Sequence, residues 1–193
     1  MQNWTKYINT KYSKMKKLIL LLLPFVSFGQ SNYGFEANIN YRTGDDYINS
    51  MCVLDIYYPK DTNNFSTIIY FHGGGLKSGN KEIPEYLKEK NIAVVAVNYR
   101  LYPKVSTALV MDDTAKAVKW VFENIEKYGG SKDLIFLSGS SAGGYISSML
   151  GLDKSYLKKY DIDSNLLAGI ISLSGHTITC LLYTSDAADE VVS

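Results

Sequence analysis

The chain has 193 residues and a formal net charge of +1, so its electrostatics point neither to nucleic acid nor to a strongly charged partner. Apolar content of 46% and charged content of 20% describe a globular domain and exclude a disordered one. The two cysteines, Cys52 and Cys180, make no disulfide framework and fit no zinc spacing. The 16 tyrosines suit sugar- or aryl-binding clefts, but they read first as strand residues of good β-propensity.

The first 29 residues are expected to stand outside the fold. Lys16 and Lys17 precede an apolar run from Leu18 to Val26, and Ser27, Phe28 and Gly29 close it before Gln30. That is the three-part pattern of a secretory signal peptide, and its apolar core is too short to make a stable membrane span. Met15 is then the natural start, Met1 to Lys14 an upstream extension, and the mature chain begins near Gln30. Export to the periplasm or beyond follows as an expectation.

Apolar runs then alternate with helical patterns, which predicts a mostly parallel sheet with helices on both faces. Met51 to Tyr58 places Cys52, Leu54 and Ile56 on one side and reads as the first strand, about twenty residues into the mature chain. Thr67 to Phe71 is a second strand that runs straight into His72 and three glycines. Ile92 to Val97 is unbroken and apolar, as a strand buried on both faces requires. A helix after Pro103 carries Met111, Ala115, Val118, Phe122 and Ile125 on one stripe, with Glu123 set to pair with Lys127 outside. Gly129 and Gly130 end it. Leu134 to Leu137 and Leu167 to Leu173 are the remaining strands, and there is no linker or internal repeat.

Two motifs carry chemistry. Gly139-Ser-Ser-Ala-Gly143 lies directly after the strand at 134–137 and before an Ala/Gly-rich helix start. By itself the G-x-S-x-G pattern is weak. A nucleophile on a tight strand-to-helix turn, however, needs small neighbours, and Gly139 and Gly143 provide them around Ser141. His72-Gly-Gly-Gly75 follows another strand, where side-chain-poor backbone lets N–H groups converge on one point. Ester hydrolysis develops negative charge on the carbonyl oxygen, and one fixed donor there is worth roughly 2.7–4 kcal/mol. Gly74, Gly75 and Ala142 are the expected donors, with Gly73 completing the loop. His72 is expected to shape that loop by hydrogen bonding and not to act as a base.

The HGGG run, Asn98 to Pro103, the helix before Gly129-Gly130 and the GSSAGG turn together resemble the α/β-hydrolase fold. Within it they are similar to the branch of hormone-sensitive-lipase-like carboxylesterases and bacterial feruloyl-esterase-like proteins. The likeness covers roughly residues 50–179. Leu76 replaces an aromatic residue common after HGGG, and Ser140 replaces an aspartate common in lipase-like members, which draws the chain toward the feruloyl-esterase-like side. The resemblance implies a serine hydrolase cleaving short acyl or aryl esters, free or polysaccharide-linked, through an acyl-enzyme at Ser141, with no metal or organic cofactor.

It also implies a triad acid and histidine well beyond the last strands seen here. His176 reads as a pocket residue before a base, and Asp161 and Asp163 as solvated surface. Asp112 or Asp113 is expected to form a structural ion pair with Arg100, and Cys52 to be a small buried hydrophobe. From Cys180 onward the text continues no upstream pattern, and one back-translation of it is the end of a transposase sequencing adapter. The expected organisation is therefore an extension and signal peptide at 1–29, an incomplete hydrolase domain at 30–179, and read-through at 180–193. The fragment itself is expected to be inactive. Two other readings share the elbow. A serine peptidase of this fold usually carries a large N-terminal propeller, for which there is no room, and a non-catalytic binding domain usually loses the nucleophile or the oxyanion glycines.

N-terminal sequencing of the exported protein should find Gln30 or a residue within a few positions. An intact Met1 terminus on cytoplasmic protein would exclude the signal peptide.

Overall fold

The computed structural model describes residues 32–175. The expected signal peptide, His176 and the segment from Cys180 lie outside the described residues. In chain order the elements are β1 (Tyr33–Asn40), α1 (Asp46–Met51), β2 (Val53–Pro59), β3 (Phe65–Phe71), β4 (Ala93–Val97), α2 (Thr107–Asn124), β5 (Gly130–Ser140), α3 (Ala142–Leu152), α4 (Lys154–Lys158) and β6 (Gly169–Leu173). The six strands form one sheet in the order β1-β2-β4-β3-β5-β6. β1 and β2 are antiparallel to their neighbours, whereas β4, β3, β5 and β6 run parallel.

Strand pleating divides the interior into two layers. Ile69, Phe71, Val95, Val97, Ile135 and Leu137 point toward the helices and share one core with Met111, Val118, Ile146 and Leu157. The other face buries Ile68, Tyr70 and Val94 under Ile83 and Leu87. Among the described residues, α2, α3 and α4 all pack on the first face. The second is closed by the β3–β4 crossover, which carries only a 3-10 turn at Glu85–Leu87. β4 is fully buried along its whole length, as its uninterrupted apolar run predicts.

Several boundaries differ from the sequence expectation, each for a local reason. β1 is an additional strand ahead of Met51. Its alternation is broken by a bulge between Glu36 and Ile39, where Asn38 takes φ 57°, so a period of two is not visible in the text. β2 starts at Val53, not Met51, because Asp45 caps a short helix: its carboxylate accepts from the Ile48 N–H at 2.8 Å, and the Cys52 N–H closes on the Ile48 carbonyl. β5 reaches back to Gly130 through polar residues, pairing with Phe65 before a register shift.

In α2 the stripe is broader than predicted, with Val110 and Val121 buried and Phe122 only partly so. Glu123 faces Lys119 at 3.6 Å and not Lys127. The helix tightens to a 3-10 turn at Ile125–Tyr128, which moves Lys127 out of the four-residue row and onto Asn124. Gly129 then ends the turn at φ 94°, in the left-handed region.

The expected ion pair falls on Asp113. Its fully buried carboxylate accepts Arg100 Nε at 2.7 Å and Nη2 at 2.8 Å, and Arg42 Nη1 at 2.6 Å. This ties the segment after β1, the segment after β4 and helix α2 at one point. Asp112 instead meets Arg42, Lys159 and the Tyr160 hydroxyl. Cys52 is buried as predicted, its thiol pushed up to about 11 by burial and then by the Asp113 charge. Asp161 and Asp163 are exposed, Asp163 capping the 3-10 turn at Ser164–Leu166.

Removing one partner from a buried pair leaves an uncompensated charge, at a cost of about 3–5 kcal/mol. Asp113→Ala should therefore lower unfolding free energy by that amount in chemical denaturation. A loss below 1 kcal/mol would mean the two guanidiniums find water instead.

Candidate active site

The GSSAGG segment crosses from β5 into α3. Ser141 sits at the crossing with φ 55° and ψ −114°, backbone that a side-chain-bearing residue adopts only under strain. Its N–H donates to the Leu173 carbonyl of β6 at 2.8 Å, and its carbonyl accepts from Tyr145 N–H at 3.0 Å. The turn is thereby pinned from both sides while the residue stays exposed. The sequence predicted Ser141 at this turn; it did not reveal that β6 holds it.

The flanking glycines are there because of a backbone contact. A Cβ on Gly143 would stand 1.9 Å from the Phe71 carbonyl oxygen, and one on Gly139 would stand 2.5 Å from it. Helix and strand thus meet main chain to main chain at the point where the His72–Gly75 loop leaves β3. Gly73 faces the turn, its Cβ position 3.0 Å from the Ser140 carbonyl and 3.5 Å from Ser141 Cβ. The structure therefore brings together Gly73, Ser141 and Ala142 at the carboxyl ends of two neighbouring parallel strands, where open α/β sheets form their sites.

Gly74 and Gly75 have φ 108° and 63°, and Leu76 continues at 60°. The chain doubles back, with the Gly74 carbonyl accepting the N–H groups of Lys77 and Ser78 at 3.0 and 3.1 Å. Leu76 turns inward as a buried plug, and its carbonyl accepts Tyr102 N–H at 2.9 Å. Ala142 opens α3, so its N–H belongs to the first turn, whose donors have no partner within the helix. Backbone N–H groups that face the carbonyl oxygen of a bound ester stabilise its oxyanion without reorganisation.

His72 is buried beneath this loop. Its Nδ1 lies 2.7 Å from the Gly73 carbonyl oxygen, which can only accept, so Nδ1 carries the proton. The ring stacks on Tyr99 at 4.3 Å between centroids, and the Tyr99 hydroxyl donates to the His72 carbonyl at 2.8 Å. Gly79 closes on the other side, where a Cβ would stand 2.3 Å from Nδ1. This is the brace expected of His72. Tyr99 follows β4, 27 residues from His72, and no local pattern in the sequence marks it as the partner. Burial lowers the His72 pKa, keeping the ring neutral.

A mostly parallel sheet of this strand order, with a strained serine on the β5–α3 turn, defines an α/β-hydrolase. The family model BD-FAE matches residues 54–179, and the chain belongs to that family of α/β-hydrolase esterases. The carboxylesterase NlhH of Mycobacterium tuberculosis is 32% identical over 121 residues, 60% of this chain. Isoprenylcysteine alpha-carbonyl methylesterase ICME of Arabidopsis thaliana is 26% identical over 163 residues, 78% of the chain. The chain spans 38% of the length of each of these relatives. Among solved structures, the esterase of the archaeon Pyrobaculum calidifontis shares the fold at a TM-score of 0.59 and 21% identity, over 87% of this chain and 53% of its own. Esterase B of Lactobacillus rhamnosis is similar in fold at 0.59 and 21%, over 81% of this chain and 51% of its own.

The depressed His72 pKa has a consequence for stability. An unfolded histidine takes up a proton near pH 6.5, while folded His72 does so only at lower pH. Its contribution is complete above about pH 6.5 and is lost as pH falls through the folded value. Denaturation between pH 7.5 and 5 should show wild type weakening more than His72→Asn, whose amide can keep the bond to Gly73. Parallel curves would show that His72 is not the group responsible.

Proposed function

We propose that the complete protein is an exported serine esterase in which Ser141 forms the acyl-enzyme. The observation that carries this reading is the strained, exposed Ser141 beside the Gly73–Gly75 loop, in a chain belonging to an esterase family. Ser141 Oγ adds to the ester carbonyl carbon, and a histidine takes its proton. The carbonyl oxygen becomes an oxyanion facing the N–H groups of Gly74, Gly75 and Ala142. As the tetrahedral adduct collapses, the C–O bond to the alcohol breaks and the histidine protonates the departing oxygen. Water then repeats the sequence on the acyl-enzyme and releases the acid.

The histidine and the carboxylate that orients it are assigned to the part of the protein beyond the described residues. His72 cannot serve, since its ring is buried and braced beneath the loop. Chemistry of this kind uses no metal or organic cofactor. Short acyl or aryl esters, including those on polysaccharides, are the proposed substrates, supported by relatives described as a carboxylesterase and a methylesterase.

In the complete protein, Ser141→Ala should abolish hydrolysis of a chromogenic short-chain acetate with folding intact. Ser140→Ala should keep much of the activity, because Ser140 ends β5 and does not occupy the strained turn. Equal loss from both would mean the nucleophile is misassigned. Residues 30–193 alone should fall to the residual level of roughly 10³–10⁴ over water that oxyanion stabilisation and binding leave, because His72, the histidine among the described residues, is braced away from Ser141. Turnover near that of the complete protein would refute this.

A further inference from the structure

A polar network at the exit of the glycine loop, buried at Asp55 and Asn98 and exposed at Asn80, has no part in the chemistry above. Asp55 interrupts the apolar run of β2, its side chain only 12% exposed, and its Oδ1 lies 2.7 Å from Lys81 Nζ, itself 10% exposed. The same carboxylate oxygen accepts the N–H of Asn38 at 2.8 Å, at the bulge of β1. One residue earlier, the Asn80 side-chain carbonyl accepts from Asn98 Nδ2 at 2.7 Å, and the Lys81 N–H donates to Asn98 Oδ1 at 2.5 Å. Asn98 is itself fixed to the sheet, its N–H on the Val53 carbonyl at 3.0 Å and its carbonyl accepting the Tyr41 hydroxyl at 2.6 Å.

Asn80 and Lys81 are the exit of the loop that begins at His72. Directly before them stands Gly79, which closes against His72 Nδ1 and has its Cβ position 2.5 Å from the Gly73 carbonyl oxygen. The segment from Gly73 to Gly79 contains four glycines, so its own backbone prefers no single course. Its exit is held by one ion pair and two side-chain hydrogen bonds, and its middle by Leu76. A buried ion pair is a poor way to gain stability, since apolar residues of similar volume often do as well. What Asp55 and Lys81 supply is one geometry for the exit.

We propose that Asp55, Lys81, Asn80 and Asn98 are positioning residues that fix the Gly74 and Gly75 N–H groups for oxyanion stabilisation. This rests on the proposed esterase reading. Substrate ester makes weak use of those donors and the tetrahedral adduct strong use, so loosening them should act on the transition state more than on ground-state binding. Lys81→Met keeps the aliphatic stem and leaves Asp55 bonded to Asn38. Asn80→Ala removes the bond from Asn98 Nδ2 without touching a charge, and leaves the Lys81 N–H on Asn98 Oδ1.

Each variant of the complete protein should lower kcat on a short-chain acetate at least about tenfold with KM within about twofold, a fraction of the 10²–10³ lost with one oxyanion donor. Affinity for a trifluoromethyl ketone, which forms the tetrahedral adduct on serine, should fall by the same factor as kcat/KM. Lys81→Arg should recover most of both. Thermal unfolding recorded alongside separates placement from folding. A variant that melts lower yet keeps kcat and ketone affinity makes the network merely structural and overturns the proposal, as does a loss confined to KM. Ser141→Ala in the same assay distinguishes the two readings. Activity surviving that change removes the esterase mechanism, whereas a Ser141-dependent enzyme indifferent to Lys81 and Asn80 removes only this inference.

Discussion

The contact between Gly143 and the Phe71 carbonyl is the constraint on which the site depends. With a Cβ position only 1.9 Å from that oxygen, no side chain fits, and helix α3 lies directly on the end of β3. Two results follow from this one approach. The turn from β5 into α3 must be completed within Ser141, which accounts for its left-handed φ. The loop leaving β3 starts beside that serine, so Gly73 meets Ser140 and Ser141 without any intervening layer. Ser141 and the glycine loop are brought together by main-chain geometry.

Such a design places the burden on backbone that has little intrinsic order. The glycines leave the loop free to take other courses, and the surrounding structure has to remove that freedom. Above, Leu76 is buried and bonded to Tyr102. Beneath, the neutral His72 ring is clamped between Tyr99 and Gly79 and bonded to the Gly73 carbonyl. A charged imidazolium there would need a desolvated partner. Neutrality lets the ring serve as a flat spacer that donates one hydrogen bond.

Legibility in the sequence followed the range of the physical signal. The buried β4, the strand into HGGG, the G-x-S-x-G turn and the main stripe of α2 are carried by residues within one turn or one strand of each other, and all could be placed from the text. The Asp113–Arg100 pair could be anticipated because the helix after Pro103 must run back over the strand ends. Elements fixed by distant partners could not be seen. β1 is obscured by the bulge at Asn38, the Leu173 hold on Ser141 comes from 32 residues away, and Tyr99 reaches His72 across 27. The expected Glu123–Lys127 pair fails for a subtler reason. Periodicity assumes 3.6 residues per turn throughout, and the 3-10 turn after Asn124 breaks that assumption.

The charges at this end of the sheet satisfy one another in buried pairs. Asp113 takes both Arg100 and Arg42, while Asp55 takes Lys81. The segment after β4 supplies a member to each cluster, since Asn98 joins the Lys81 network and Arg100 joins Asp113, two residues apart. Between them Tyr99 points to His72. Three consecutive side chains thus fasten one strand end to the loop exit, the loop base and helix α2. Any shift of this segment would disturb the glycine loop at two places and the helix at a third. The Asn98–Arg100 tripeptide therefore couples the course of the glycine loop to the packing of α2.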